Sequence, residues 1–453
     1  MVVVQSVTPQ IEFISYKNGA VYQEFSASSN YVSGMNLQSY QYQRSVNSFG
    51  SAFSITVKET SNNDLLETRA PFLDRVHTLD VVKIKENDLG SVNFVGVVTN
   101  IAYTASENSK LITISGKGIE FLLEYFTIAL DASAMAWTGS ENVMTNARNL
   151  EYKATDGGDG PAKISDVVNK SFNFFCEVAT GAEKISNIKV KELIEKYMKN
   201  GASLLDGSSN LEFQFPISSN LLQNSTINWV NYIRNLLPEA VYEMYAIVIN
   251  GVTKLKIRQM PYSASDWVNL PCVKIEDYSV VNYSLQKSID EVYTNFYSYV
   301  EGTALSPEFW NNLTATTQGN MRSVTLTDKV KLYGYKPLQC NFIGFNTESN
   351  VDIRARFAAL NNTLADWYGR LDEMLTGTLT IINIEGKRHA KIGERISFLG
   401  GQFYINTEIH NWNYGSSPTI SYHLDRGGRY STTGNFSELT GLSKALAELN
   451  NDN

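Results

Sequence analysis

The chain has 453 residues, of which 43% are hydrophobic, and it is rich in aromatics, with 25 tyrosines and 21 phenylalanines. Its 38 basic and 46 acidic residues give a net charge of −8, which excludes a surface built to coat nucleic acid, since that needs an excess of Lys and Arg. The length allows about three domains at roughly 150 residues each, and the aromatic content leans toward β structure.

The start, Met1-Val2-Val3-Val4-Gln5, has no basic region and only a short apolar run, so it does not read as a signal peptide. The first ~120 residues read as strands, in short runs such as Ser51–Val57 and Val95–Ile101 bounded by Asn, Asp, Gly and Ser. Glu107-Asn108-Ser109-Lys110 separates two such runs and reads as a hairpin turn. The stretch Asn30–Arg44, with Tyr31, Tyr40 and Tyr42, reads as an interface arm.

The middle is mixed. Asp156–Pro161 is a loop. Val190, Leu193, Ile194, Tyr197 and Met198 have helical spacing, with Gly201 as the stop. Ile227–Leu237 predicts a helix capped by Thr226 or Ser225 and ended by Pro238. Glu243–Ile249 and Lys254–Arg258 predict a hairpin through Asn250-Gly251. Tyr278–Leu285 and Val292–Val300 alternate in the same way. Tyr293–Tyr299 has two readings, a glycan-stacking face or a half-buried strand with interface tyrosines.

The longest predicted helix is Asp352–Leu375, with Phe357, Leu360, Leu364, Trp367, Leu371, Met374 and Leu375 on one stripe and Gly377 closing it. Thr378–Leu424 is β again. The last ~20 residues carry Leu439, Leu442, Leu446 and Leu449 at helical steps, either a short docking helix or a frayed end. No stretch approaches the ~18 apolar residues of a membrane span.

Val81–Gly118 and Glu394–Gly427 share a pattern. Displaced by 308 positions, Val95 matches Phe403, Val97 Ile405, Thr99 Thr407, Ile101 Ile409, Ile112 Ile420 and Ile114 Tyr422. The preceding strand matches at 314 positions, Val82 with Ile396 and Ile84 with Phe398. Period-2 hairpins also align by chance. The other reading is that one small barrel occurs twice, so that a trimer would place six similar barrels in a ring.

The C-terminal third resembles the baseplate hub family of contractile tails, which is related to the hub part of type VI secretion spike proteins and to siphophage tail-tip proteins. The residues are the turn Ile384-Glu385-Gly386, the turn Ile392–Ile396, the strand Phe403–His410 and the ending Thr419–Gly427. Phe94–Phe126 resembles the strand pair and helix that close the family's first barrel. The resemblance implies a mainly β fold with α+β insertions: two tube-like β-barrel domains, near the N- and C-termini, flanking mixed domains. The expected division is 1-125 for the first barrel and 126-285 for the inserted α+β domains. Residues 286-430 then hold strands, the long helix 352-375 and the second barrel, and 431-453 form a tail.

The implied function is a homotrimeric hub that adapts a sixfold tail tube to a threefold central spike, with a channel for cargo. The implied partners are a tail tube or tube-initiator protein, a separate central spike protein, and baseplate wedge and tape-measure proteins. A separate spike is expected because the chain ends about 25 residues after Arg426, without short-period repeats. The implied location is the virion tail baseplate or a tail-like particle, assembled in the bacterial host cytoplasm. Alternatives are a host-surface-binding tail-tip protein of a non-contractile tail and a carbohydrate-active enzyme.

Enzyme and cofactor signals are missing. His77, His389, His410 and His423 form no H-E-x-x-H or other metal spacing. His410 and His423 fall on paired strands and could face each other. Asp156, Asp159 and Asp166 lack the Gly and Glu positions of a calcium loop. Gly116-Lys117-Gly118 lacks the phosphate-loop grammar, no nucleophile elbow occurs, and Asp372-Glu373 reads as a solvated helix side. Cys176, Cys272 and Cys340 fit no disulfide framework or zinc site and read as buried thiols. The chain is therefore expected to be non-enzymatic, with no catalytic, cofactor or metal residues and no sequence-specific nucleic-acid binding.

Overall fold

The computed structural model describes residues 8–26, 35–46, 48–59, 72–86, 92–106, 109–129, 163–179, 188–199, 203–209, 211, 226–261, 263–301, 323–343, 353–430 and 436–437. Several sequence expectations lie wholly or partly outside these residues: Met1–Gln5, the start of the Asn30–Arg44 arm, Glu107-Asn108, Asp156–Pro161, Gly201, Ser225 and the leucines after 438.

Among the described residues up to Gly118, alternation builds seven strands. They are β1 (Gln10–Ile14), β2 (Val21–Ser26), β3 (Met35–Ser45), β4 (Ser48–Glu59), β5 (Val81–Lys85), β6 (Val92–Ser106) and β7 (Ser109–Gly118). In β4, Phe53, Ile55 and Val57 are buried on one side while Ser54 and Thr56 lie on the other. Phe13, Phe25 and Phe72 pack edge to face within the same core.

A mixed region follows. The short strands β8 (Thr127–Ala129) and β9 (Thr226–Asn228) pair with each other. Helix α1 is Ile164–Ala179, and α2 is Lys189–Ile194, extended by a π-helical turn over Glu195–Lys199. Helix α3 is Trp229–Leu236. Its cap is Asn228, whose Oδ1 accepts from Asn231 N at 2.7 Å. Thr226, the expected cap, instead belongs to β9, because the chain stays extended until it reaches the residue that can satisfy the first turn. Strands β10 (Tyr242–Ile249) and β11 (Val252–Gln259) form the expected hairpin. Asn250 and Gly251 at φ 51° and 76° supply the two left-handed residues of a tight turn.

Next come α4 (Ala264–Asn269), β12 (Cys272–Lys274) and β13 (Val280–Gln286). Strand β14 (Asn295–Glu301) lies between β15 (Val324–Thr325) and β16 (Pro337–Ile343) in a separate small sheet. Helix α5 is Thr327–Tyr333 and α6 is Ile353–Tyr368. Helix α6 covers β14, where Ser298 Oγ donates to Asn361 Oδ1 at 2.7 Å, both residues buried.

Helix α6 stops at Tyr368, well short of Leu375. A Cβ at Gly369 would lie 2.4 Å from the Ala365 carbonyl oxygen and 2.4 Å from Leu326 Cδ1. The glycine marks a close approach between the helix end and its neighbour. Leu371 and Met374 are buried beyond it, and Leu375 already begins β17. Gly377 lies inside that strand and does not close a helix.

The last strands are β17 (Leu375–Ile382), β18 (Arg395–Phe398), β19 (Gly401–Asn413), β20 (Thr419–Tyr430) and β21 (Phe436–Ser437). Among the described residues the central structure is one 14-stranded sheet, with eleven strands in the order β13-β17-β20-β19-β3-β4-β7-β6-β5-β1-β2 and three off this path: β18 beside β19, β12 beside β18, and β21 beside β20. Strand β13, far upstream in sequence, forms the outer end of this path beside β17. Three apolar clusters support it. One lies under β3–β7, one under β17–β20, and the third joins the helices to the first set. The fold is mainly β with mixed α+β parts, as expected. Among the described residues no helix is long and apolar enough to cross a membrane.

Candidate functional site

The large sheet contains one strand arrangement twice. Strands β6, β7, β4 and β3 lie side by side, and β19, β20, β17 and β13 repeat that order with the same antiparallel sense. Strand β5 pairs with the N-terminal half of β6 as β18 does with β19: Val82 lies opposite Gly96, and Ile396 opposite Phe403.

Two of the register irregularities coincide as well. The β6–β7 register shifts between Val98 and Asn100, and the β19–β20 register shifts between Ile405 and Thr407. The β3–β4 register shifts between Leu37 and Ser39, and the β13–β17 register between Val280 and Asn282. Bulges bend and re-aim strands, so matched bulges mean matched curvature.

The repeat expected from sequence is therefore present, with one correction. The β5 and β7 matches hold as stated, but β6 aligns with β19 one residue earlier. Val98 occupies the place of Ile405, and Thr99 that of Asn406, so Val97 corresponds to Tyr404. Both bulged residues, Thr99 and Asn406, are exposed. Alternation alone favours the slipped match because the bulge resets the period midway.

Cross-strand partners share a face, and rows of partners define what the open face carries. One row runs Asn282, Thr380, Ser421, Ile409, Gln43, Ala52, Lys117. The next runs Ser284, Thr378, His423, Thr407, Ser45. A third runs Ile382, Thr419, Asn411, Gln41, Ser54, Ser115, Asn100. Beyond it Ser39, Thr56 and Thr113 continue the pattern. Apart from Ala52, Ile382 and Ile409, these rows are mostly hydroxyls and amides. They contain Lys117 and His423 but no carboxylate. The acidic residues behind the chain's net charge of −8 are absent from these rows.

The two units meet where β3 pairs with the C-terminal half of β19, from Ser45–Thr407 to Ser39–Asn413. Beneath this seam the polar groups are buried and matched. Glu86 accepts from Tyr40 Oη at 2.8 Å and Tyr42 Oη at 2.9 Å, and its Oε2 lies 2.6 Å from His410 Nδ1. Burial alone would raise its pKa, but the His410 charge and these hydrogen bonds outweigh that and hold the carboxyl below its usual value. His410 stacks on Tyr42 at 4.4 Å, and Trp412 stacks on Tyr40 at 6.1 Å. Arg44 pairs with Glu408 at 2.6 Å.

The other residues singled out by sequence are dispersed. His410 and His423 do not face each other, because His410 points to the buried side while His423 lies opposite Thr407 and is exposed. His389 is packed near Ile384, and burial lowers its pKa. His77 lies beside Asp80. Among the described residues no group of His, Cys, Asp and Glu could hold a metal.

Asp372 and Glu373 bind Lys329 at 2.5 and 2.9 Å, and Asp372 is largely buried, so this pair ties α5 to the turn before β17 rather than solvating a helix. Gly116, Lys117 and Gly118 lie within β7. Cys176 and Cys340 are buried, but Cys272 is exposed, because β12 is a short edge strand beside β18. In β14, Phe296 and Ser298 are buried and neighbours pair on both sides, so this strand does not form an open aromatic face. The seam cluster itself left no sequence signal, since Glu86 and His410 are 324 positions apart.

No family model and no curated protein matches the chain. Solved structures with a similar fold include a tail protein from Neisseria meningitidis MC58 (9% identity, TM-score 0.49, covering 93% of this chain and 97% of that one). The 43 kDa tail protein of prophage MuSo2 from Shewanella oneidensis is similar over 95% of this chain and 100% of its own, at 11% identity and TM-score 0.46. The E. coli c3393 protein, described as a type VI secretion component similar to bacteriophage T4 gp27 and gp5, matches at 7% identity and TM-score 0.38, over 89% of this chain and 77% of that one.

Proposed function

We propose that this chain is a non-enzymatic structural hub of a phage-type tail. Three copies form a ring around a central channel, and the two sheet units of each chain alternate around it. Six similar units then meet a sixfold tail tube or tube-initiator protein on one side. On the other side the three chains offer threefold symmetry to a separate central spike protein. The mixed α+β parts brace the ring from outside and reach baseplate wedge or tape-measure proteins. The protein works in the tail baseplate of a virion or tail-like particle assembled in the host cytoplasm.

The observation that carries this reading is the repeat, with its matched order, register and bulges. Two like units in one chain give a threefold assembly a nearly sixfold face, and closed rings are the common solution for soluble oligomers. The face of hydroxyls and amides suits a channel wall, because it offers a passing polymer few charges to bind.

Native mass spectrometry and electron microscopy of the purified protein, alone and with its tube protein, provide the test. The expected result is a particle of three 50.6 kDa chains with a central opening. A monomer under both conditions would overturn the proposal.

A further inference from the structure

We infer that β13 of one copy adds, as a neighbouring strand, to the C-terminal half of β6 in the next copy, in the register of the β3–β19 seam. This rests on the proposed ring and names the contact that would close it.

Each unit offers two edges. In the seam, β3 of the first unit meets β19 of the second. The equivalents of these strands are β13 and β6, at the far ends of the same run of strands. Both edges are exposed. Strand β13 pairs only with β17, and beyond Val98, β6 pairs only with β7 among the described residues. Tyr103 is 42% exposed and Tyr283 46%.

Neither edge carries the usual protection. Natural edge strands are blunted by charges or proline, yet Val280–Gln286 and Asn100–Ser106 contain none, and the nearest charge, Lys287, follows the end of β13. Edges of this kind favour strand addition.

The sequence supports the same match. Carrying the β3–β4–β7 registers onto β13–β17–β20 places Tyr40 on Tyr283. The seam segment of β3 reads SYQYQRS, and the corresponding segment from Asn282 reads NYSLQKS. Polar, aromatic, polar, apolar, Gln, basic and Ser positions coincide. In this register Leu285 lies opposite Tyr103, Ser284 opposite Thr104 and Tyr283 opposite Ala105. The apolar side chains then meet on the core side, and the hydroxyls extend the open face.

The test uses paired cysteines in a Cys272→Ser background. One variant carries Tyr103→Cys with Leu285→Cys, and a second carries Thr104→Cys with Ser284→Cys. Directly opposed residues in an antiparallel pair lie within disulfide reach. An off-register control carries Tyr103→Cys with Tyr283→Cys, about 7–8 Å apart on the diagonal. Tyr103→Lys, at an exposed position, tests the edge without cross-linking.

The expected result is a closed covalent trimer from at least one matched pair, little product from the control, and loss of the trimer in a still-folded Tyr103→Lys chain. A trimeric mass with neither matched pair linking, or a Tyr103→Lys trimer, overturns the pairing and leaves the ring standing. A disulfide within one chain also overturns it. Linked ladders longer than three chains support the pairing and overturn the ring.

Discussion

Arg44 and Glu408 form an ion pair of 2.6 Å across the β3–β19 seam, with side-chain exposures of 8% and 1%. Desolvation would lower the Arg44 pKa, but the adjacent Glu408 carboxylate raises it above its ordinary value. Glu408 also accepts from Ile392 N at 3.2 Å, so it ties β3, β19 and the loop before β18 together. Arg44→Met strands a buried carboxylate and is expected to cost about 3–5 kcal/mol. The double variant Arg44→Met with Glu408→Leu should recover most of that, as read from urea midpoints of the single and double variants.

Glu86 confers acid sensitivity on the seam. Its folded pKa is held below the ordinary value of about 4.3. The sign follows: the stabilisation is full above the unfolded value and is lost as pH falls through the folded one. Glu86→Gln should reduce stability at pH 7 by about 1–3 kcal/mol and flatten the loss at acid pH. Urea unfolding at a series of acid pH values checks both.

Glu120 behaves in the opposite sense. It is buried and accepts from Ser51 N at 2.8 Å, but desolvation outweighs those bonds and raises its pKa. Its contribution is greatest below the unfolded value of about 4.3 and falls as pH rises through the folded one. Glu120→Gln keeps an acceptor for Ser51, so at pH 8 it should leave stability unchanged or improved. A clear loss at pH 8 would contradict this account.

Gly377 sits where β17 passes β13. A Cβ there would lie 1.9 Å from the Ser284 carbonyl oxygen. Gly377→Ala must push the edge strand away, at about 1–3 kcal/mol by analogy with overpacking, and should weaken assembly more than folding. Gly207→Ala, with no atom within 4 Å of the added carbon, is the control. Thermal melts and native masses of both variants provide the comparison.

The open face offers a functional test. Ser54→Lys and Thr380→Lys add charge there without burying it, since both positions lie in the hydroxyl rows. If the face lines a channel carrying a polyanion, particles should assemble normally and release cargo more slowly. Unchanged release kinetics from intact particles would remove the face from the path.

Much of the strand content was legible because half-buried strands alternate and turns use few residue types. Ser51–Val57, the Asn250-Gly251 hairpin and the pairing on either side of Asn108 follow from those local rules. The predicted helix runs too far, to Leu375, because Leu371, Met374 and Leu375 keep a helical spacing past the real end, while Leu375 packs in the core under β17–β20. The close approach at Gly369 is a tertiary fact.

The repeat divides in the same way. Sequence by itself determined that two similar β patterns lie near the two ends of the chain, since hydrophobic alternation is local. It did not determine the alignment of β6 with β19, because a single bulged residue at Thr99 or Asn406 shifts the period without changing composition. It also gave no sign that β13 belongs to the second unit, or that Glu86 meets His410. Those are pairings between distant segments, decided by which edges and buried polar groups could satisfy one another once the sheet had formed.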